Sequence, residues 1–503
     1  MKALITFTLL VCSFNVWSQS VADAFLFAQE DLSGTARYSG IAGAFGALGG
    51  DLAAITDNPA AAGVFNYSEI GFSVLQNNQA VTSSYFSSAT PQESNQFRFD
   101  HFGLVYTLKN SQADSDWTKI AFAFNTRKVA DFASKSNAIG TNSSQNLGDY
   151  FRGFADGLAI DNIEVFEDET IPGIYEYLGN NFGYAAQQAF LGYQGYAIDP
   201  FDDSPTNASY ISNILGPVDH DWIRQNSGRH RKNNFALSAV YKNKLYIGTG
   251  LNSHRISLEQ QNTLRERSSN SQSPVEYATF ENTLNTYGSG LSAQVGLIYQ
   301  LPNSVRFGLS YQSPQWWLFE EEGTQSLTTE SFFGNEFITT VVDPKVINYY
   351  PSYKLVLPSK TTFSFAYVIN QQGLLSIDYS RRNLGSMKFE TDSQADFLGG
   401  LNTAIENDLS LEESIRIGGE YRMGRLQLQG GFFTTSNSQV QLNKSNTGIT
   451  AGLSYDLGGD LIGLSWVNQT RNSQRPLYDS GITAPIVTEE IRTQILFSYL
   501  LKL

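Results

Sequence analysis

Four histidines, His101, His220, His230 and His254, are the residues best suited to acid–base or metal chemistry, and they are scattered along the chain. A hydrolytic serine needs a histidine and an oriented acceptor on neighbouring elements. His101 has no serine at a suitable spacing. His220 and His230 carry metal- or haem-ligating nitrogens, yet no cysteine or flanking ligand pattern accompanies them. The run Glu320-Glu321-Glu322 has the oxygen donors that a divalent cation takes, and equally suits a solvated loop start. More regular are Arg306, Arg382 and Arg416, which with Asp378, Glu420 and Arg422 alternate with apolar residues. A guanidinium in a partly dry cavity holds a carboxylate headgroup through charge-assisted hydrogen bonds. Arg416 and Glu420 equally suit a pair of their own. These residues predict ligand contact rather than catalysis: a non-enzyme without metal or cofactor.

The elements that position these charges are strands. In 414–422, Ile415, Ile417 and Tyr421 share one face, while Arg416, Glu420 and Arg422 share the other. In 493–503, Ile495, Phe497, Tyr499, Leu501 and Leu503 share a face. Period-two alternation marks a strand between two environments. A charged inner face and an aromatic outer face suit a barrel in lipid better than a soluble sandwich. The pattern predicts fourteen strands: 68–80, 98–109, 117–129, 231–242, 244–258, 284–300, 304–318, 357–369, 373–387, 412–423, 425–437, 446–457, 460–471 and 488–503. Lys242-Asn243-Lys244, Leu301-Pro302-Asn303, Asn370-Gln371-Gln372, Met423-Gly424 and Gly458-Gly459 read as tight turns. The connections between them, 260–283, 319–356, 388–411, 438–445 and 472–487, read as long loops. Short and long connections in alternation are what a transmembrane β-barrel of the outer membrane shows. A secreted all-β protein leaves the one-sided loop lengths unexplained.

Composition agrees. Charged residues are only 16% of the chain, aromatics 13%, and 43 of 503 residues are glycine, which suits close packing on a lumen wall. The net charge of −15 argues against nucleic acid, which needs a basic surface. Residues 1–18 read as a signal peptide, with Lys2 as the basic start and Val16 and Ser18 at the −3 and −1 positions of a cleavage before Gln19. Leu9-Leu10-Val11-Cys12 falls short of a lipoprotein box because Val11 is too large there. Cys12 is the only cysteine, so the mature chain carries no thiol.

Residues 19–66 precede the first strand, and 33–65 are dominated by Gly and Ala. Small residues let a chain press against a surrounding wall. Asn58-Pro59-Ala60 closes the run with a turn. The glycine-rich run with Gly43, Gly46, Gly49 and Gly50, followed by Asn58-Pro59-Ala60, resembles the start of the FadL/TodX family of outer-membrane transporters of hydrophobic compounds, in a form similar to relatives from Bacteroidota. The resemblance covers the layout of the whole mature chain, but only about thirty residues in sequence. It implies an all-β, fourteen-stranded antiparallel barrel at 67–503, plugged by 19–66, with Asn58, Pro59 and Ala60 as the plug motif. Those three either gate the plug or anchor it to the wall. The terminal Leu503 departs from the family's aromatic.

The longest insertion, 131–230, is expected as a partly helical extracellular domain. Tyr150, Phe151, Phe154 and Leu158 fall at helical spacing in 146–158, and Phe182 and Phe190 lie in a second helical stretch, 174–196. These six either line an apolar ligand groove or pack the insertion on itself. The resemblance implies a third strand bent inward to make a lateral opening. Its counterpart here is 124–132, from Phe124 to Phe132, where Arg127, Lys128 and Asp131 break the lipid-facing pattern; the break equally suits a strand reaching the headgroups.

The expected function is passive uptake of hydrophobic small molecules of the fatty-acid or hydrocarbon class, in an outer membrane of lipid and lipopolysaccharide. The alternative is a non-transporting barrel subunit or shuttle, similar to that of the type IX secretion pathway, whose loops bind other outer-membrane or exported proteins.

Overall fold

The computed structural model describes residues 19–503, leaving out 113, 203, 334, 335, 371, 392–394 and 443. The expected signal peptide, 1–18, lies outside the described residues. Before the barrel come helices α1 (Val21–Phe27) and α2 (Ala36–Gly40), then two 3-10 turns, Ala53–Thr56 and Pro59–Val64.

The barrel opens with β1 (Glu69–Tyr85), β2 (Ser88–Lys109) and β3 (Trp117–Asp131, resuming as Ser134–Asn142). An insertion with helices α3 (Leu147–Ala155), α4 (Ile171–Phe182) and α5 (Tyr184–Gln194) follows. Then come β4 (Val218–Tyr241), β5 (Leu245–Ser268), β6 (Val275–Gln300) and β7 (Val305–Gln312 continued by Gln315–Phe333). After a hairpin strand, Glu336–Val342, the wall continues as β8 (Asn348–Leu357 with Lys360–Ile369) and β9 (Gly373–Asn383 with Lys388–Glu390). Helix α6 (Ala395–Asp408) leads to β10 (Leu411–Met423), β11 (Leu426–Thr435), β12 (Asn446–Asp456), β13 (Asp460–Pro476) and β14 (Pro485–Lys502). Neighbours pair antiparallel, and β14 returns to β1 from Glu69↔Lys502 to Ser84↔Val487. The fourteen strands therefore close, which leaves no sheet edge unpaired in lipid.

The alternation read from sequence sets the two faces. Phe307, Leu309, Tyr311, Phe363, Phe365 and Tyr367 point outward and are exposed. Gly308, Ser310, Ser364 and Ala366 between them are buried inside. Outward rings also pair across strands, as Phe307 with Phe365 at 5.5 Å. With that apolar girdle the protein is a multi-pass outer-membrane β-barrel.

The strands run further than expected. β4, β5 and β6 have 24, 24 and 26 residues, whereas about ten suffice to cross a bilayer. Residues 260–283, expected as a loop, are mostly ladder, with a tight turn only at 269–274. The insertion likewise narrows from 131–230 to 143–217, because β3 resumes at Ser134 and β4 starts at Val218. Above the bilayer the outward face meets water and turns polar, so the apolar signal stops while the backbone pairing continues.

Candidate functional site

Residues 32–65 are almost wholly buried inside the barrel. Asn58 ties them to the wall. Its carboxamide nitrogen donates to the Gly46 carbonyl at 2.7 Å and to the Leu297 carbonyl of β6 at 3.3 Å. Its side-chain oxygen accepts from the Ala60 amide at 3.1 Å. Pro59 opens the 3-10 turn, where a missing amide costs no bond. The wall answers with glycines. A methyl on Gly296 would overlap Asn58, one on Gly248 would overlap Pro59 and Ala60, and one on Gly308 would overlap Gly46. These wall glycines escaped sequence reasoning, because nothing along one strand says what presses on it.

The glycines of the segment act in two ways. Gly49 and Gly50 hold consecutive positive φ values, +60° and +66°, which side chains rarely adopt. Gly46 approaches the wall: its amide donates to Asp378 at 2.9 Å, and a methyl there would overlap Ser364. At Gly43 a methyl would stand 2.9 Å from Arg416 Nη1.

The three lumen arginines contact the N-terminal residues Glu30, Tyr38 and Leu48. Arg306 donates to the Leu48 carbonyl at 2.6 Å. Arg416 donates to the Tyr38 hydroxyl at 3.3 Å. Arg382 pairs with Glu412 at 2.6 Å and with Glu30 at 3.4 Å. Arg127 pairs with Asp57 at 3.1 Å, and Arg37 with Glu420 at 2.6 Å. Asp31 is buried between two arginines, Arg492 at 2.7 Å and Arg471 at 3.0 Å. Burial works against its charge, yet the two guanidiniums hold its carboxyl below the usual range.

Beside Asp31 the barrel wall changes partners. The β2–β3 ladder runs from Lys109↔Lys119 up to His101↔Arg127 and ends there. β3 then bulges between Lys128 and Ala130 in its pairing with β4, and 127–133 turn wholly buried. The N-terminal segment replaces β2 as partner. The Asp31 amide donates to the Val129 carbonyl at 2.7 Å, and the Ser33 hydroxyl to the Lys128 carbonyl at 2.5 Å. The Asp131 amide donates to the Asp31 carboxylate at 2.8 Å, while Asp100 of β2 accepts from the Gly34 amide at 2.8 Å. Phe132 lies inside this bend, whereas Phe124 lies below it on the outer face against Phe235 at 4.9 Å.

Above the bend an apolar chamber forms around α1. Phe27 of α1 stacks on Phe319 at 4.6 Å and meets Phe132 edge-on at 6.4 Å. Ile256, Leu258, Trp317, Tyr353 and Leu355 continue the chamber wall, and Leu398 and Ile405 of α6 join it. Two cavities, of about 140 and 70 Å³, flank α1 and share Phe25, Gln29 and Arg471. Phe25 and Phe27 escaped sequence reasoning because they precede the glycine-rich run that drew attention.

No family model and no curated protein matches this sequence. Solved structures do. A FadL homologue of Pseudomonas aeruginosa superposes with a TM-score of 0.55 at 10% identity, covering 94% of this chain and 99% of that one. The toluene transporter TodX of Pseudomonas putida gives 0.51 at 13% identity, covering 95% and 100%. The chain has the FadL/TodX fold.

On this FadL-type barrel the insertion forms a cap. An Asn146–Asp149 capping box starts α3. Tyr150, Phe151 and Phe190 are buried in the cap core with strand-tip residues such as Trp222, Phe280 and Leu327. Phe154 and Leu158 pack half-buried against that core. Phe182 is exposed and meets Tyr177 at 6.0 Å. The six therefore divide between cap core and surface rather than lining one open groove.

The histidines, scattered in sequence, are partly gathered by strand pairing. His230 and His254 meet at 3.1 Å, and His254 meets Ser292 at 2.9 Å, all buried beside Trp317. His220 joins Glu266 at 2.7 Å and the Tyr85 hydroxyl at 2.9 Å beneath α3. Among the described residues no group of three His, Cys, Asp or Glu side chains suits a metal ion.

Proposed function

We propose that this protein is a passive outer-membrane channel for hydrophobic small molecules, with 19–66 as its hatch. One observation carries the reading: an apolar chamber built around α1 stands directly above the place where the β2–β3 ladder ends. The chamber is filled by α1, whose Phe25 and Phe27 occupy it as a ligand's apolar body would. A substrate of the fatty-acid or hydrocarbon class suits those walls, and Arg382 and Arg471 at the cavity edge suit a carboxylate. Entering from the cap side, it displaces α1. Asp31 and Ser33 then release β3, and the bend at 127–133 becomes a side exit into the outer leaflet. The hatch needs two arrangements, and ligand must favour the open one. No energy-coupling motif is visible, so flow follows a gradient.

Locking the hatch tests this. A side chain at Gly463 of β13 would start 3.0 Å from Ala36 Cβ on α2, slightly inside the usual disulfide range of about 3.5–4.5 Å. Ala36→Cys with Gly463→Cys should stop uptake of radiolabelled oleate and of toluene when oxidised, and reductant should restore it. Uptake that continues with the lock closed defeats the channel reading and favours a partner-subunit role.

A further inference from the structure

The hatch motif presses on the inner side of Gly248 and Gly296, which pair directly with each other across β5 and β6. On the outer side of these two glycines lies a depression of about 480 Å³, lined almost wholly by apolar surface. The two features share a cause. Without Cβ atoms the wall can draw in onto Pro59, and drawing in hollows its outer face. Two small outward residues, Ala239 and Thr249, deepen the hollow.

The hollow extends from Trp117, the first residue of β3, to Tyr311 on β7. Trp117 directly follows the connection 110–116, on the rim where both barrel ends and the short turns lie. Ala239 lies three residues before the turn Lys242-Asn243-Lys244 on that rim. At about 3.3 Å per residue on tilted strands, the hollow spans roughly the depth of one leaflet, the periplasmic one. Its mouth is polar and carries two lysines and Asp116. Lys242 and Lys244 are exposed there, and Lys242 is 3.3 Å from Asp116. Trp117 packs edge-on against Tyr241 at 5.3 Å, the aromatic placement expected where hydrocarbon meets headgroup.

We propose that this hollow is a binding site for one acyl chain of a periplasmic-leaflet phospholipid, with the phosphate held at the Lys242–Lys244 turn. The occupant follows from position: the hollow lies within the lipid-facing girdle, and lipid is what that girdle meets. The exposed ammonium groups of Lys244 and, once it leaves Asp116, Lys242 suit a phosphate. The site is independent of whether the channel conducts.

The test weighs the protein. Full-length chain is reconstituted into vesicles of dioleoyl phosphatidylethanolamine and phosphatidylglycerol, extracted in mild detergent, and examined by native mass spectrometry. The wild type should retain one phospholipid more than Ala239→Phe, which fills the hollow. Leu453→Phe, an outward position on distant β12, should retain the wild-type number. Lys242→Glu combined with Lys244→Glu should lower retention at least severalfold. Heat-modifiable migration on gels reports barrel folding, and Thr249→Phe replaces Ala239→Phe should the latter fail to fold. Equal lipid numbers in wild type and filled variant overturn the site. Undiminished retention in the double lysine variant overturns the phosphate contact.

Discussion

Asn58 of the buried N-terminal segment and Gly296 of β6 meet with no room for a side chain between them: the carboxamide lies where a Gly296 methyl would stand, and it bonds the carbonyl of Leu297 next door. The Asn58-Pro59-Ala60 turn is thus seated on the wall through an absence of atoms. Gly296→Ala should unseat Asn58 without altering any polar group. Asn58→Ala should remove three hydrogen bonds, leave two carbonyls short of a donor, and cost about 1–3 kcal/mol. Both variants should make 19–66 sensitive to protease added from the periplasmic side, while the barrel still migrates as folded on unheated gels. A hatch as resistant as wild type in Gly296→Ala would show that the wall tolerates a methyl there.

Gly46 offers a cleaner steric test, because its overlap would fall on one side chain. Gly46→Ala should impair assembly or displace the hatch, through collision with the Ser364 hydroxyl. Ser364→Gly in the same chain should restore both folding yield and uptake. Without that rescue, the obstruction lies at Asp378 Oδ2, 3.2 Å from the added methyl, rather than at Ser364.

Asp31 should be the electrostatic anchor of the hatch. Asp31→Asn leaves Arg471 and Arg492 facing a neutral amide, although Arg492 keeps Glu490 at 2.5 Å. Breaking a buried pair costs about 3–5 kcal/mol, and the remaining partner puts this variant near the lower end. The pH dependence follows from the depressed carboxyl. Its contribution is fully present above the unfolded value, about 3.9, and is lost only as pH falls through the lower folded value. Hatch protection measured by limited proteolysis should therefore stay flat from pH 8 to pH 5 and weaken only in strong acid. A loss between pH 7 and pH 5 would assign the anchor to another group.

Phe27 holds α1 in the chamber through its stack on Phe319. Phe27→Ala should remove about 3 kcal/mol of packing and favour departure of α1. On the channel reading, the initial rate of oleate uptake should rise severalfold. An unchanged or lower rate would mean that α1 does not occupy the ligand's place.

Much of this architecture is written locally. Alternation along each strand, as in Val305-Arg306-Phe307-Gly308, depends on one residue facing lipid and the next facing the lumen, so a single chain carries the signal. Strand number, tight turns, the outward rings and the Asn58-Pro59-Ala60 turn were legible for that reason. Partners distant in sequence were not. Arg306, Arg382 and Arg416 were recognised as inward cations, but only the folded lumen decides that they hold Leu48, Glu30 and Tyr38. The bend in β3 left a break in pattern at Arg127 and Lys128. That Asp31 and Ser33 supply the missing ladder bonds is decided by chain segments about a hundred residues apart. The strands above the bilayer lost their apolar signal to water although their hydrogen bonds persist. The wall glycines are explained only by what presses on them. A sequence records which environment each residue faces, whereas the identity of the atoms filling that environment is settled when distant segments pack together.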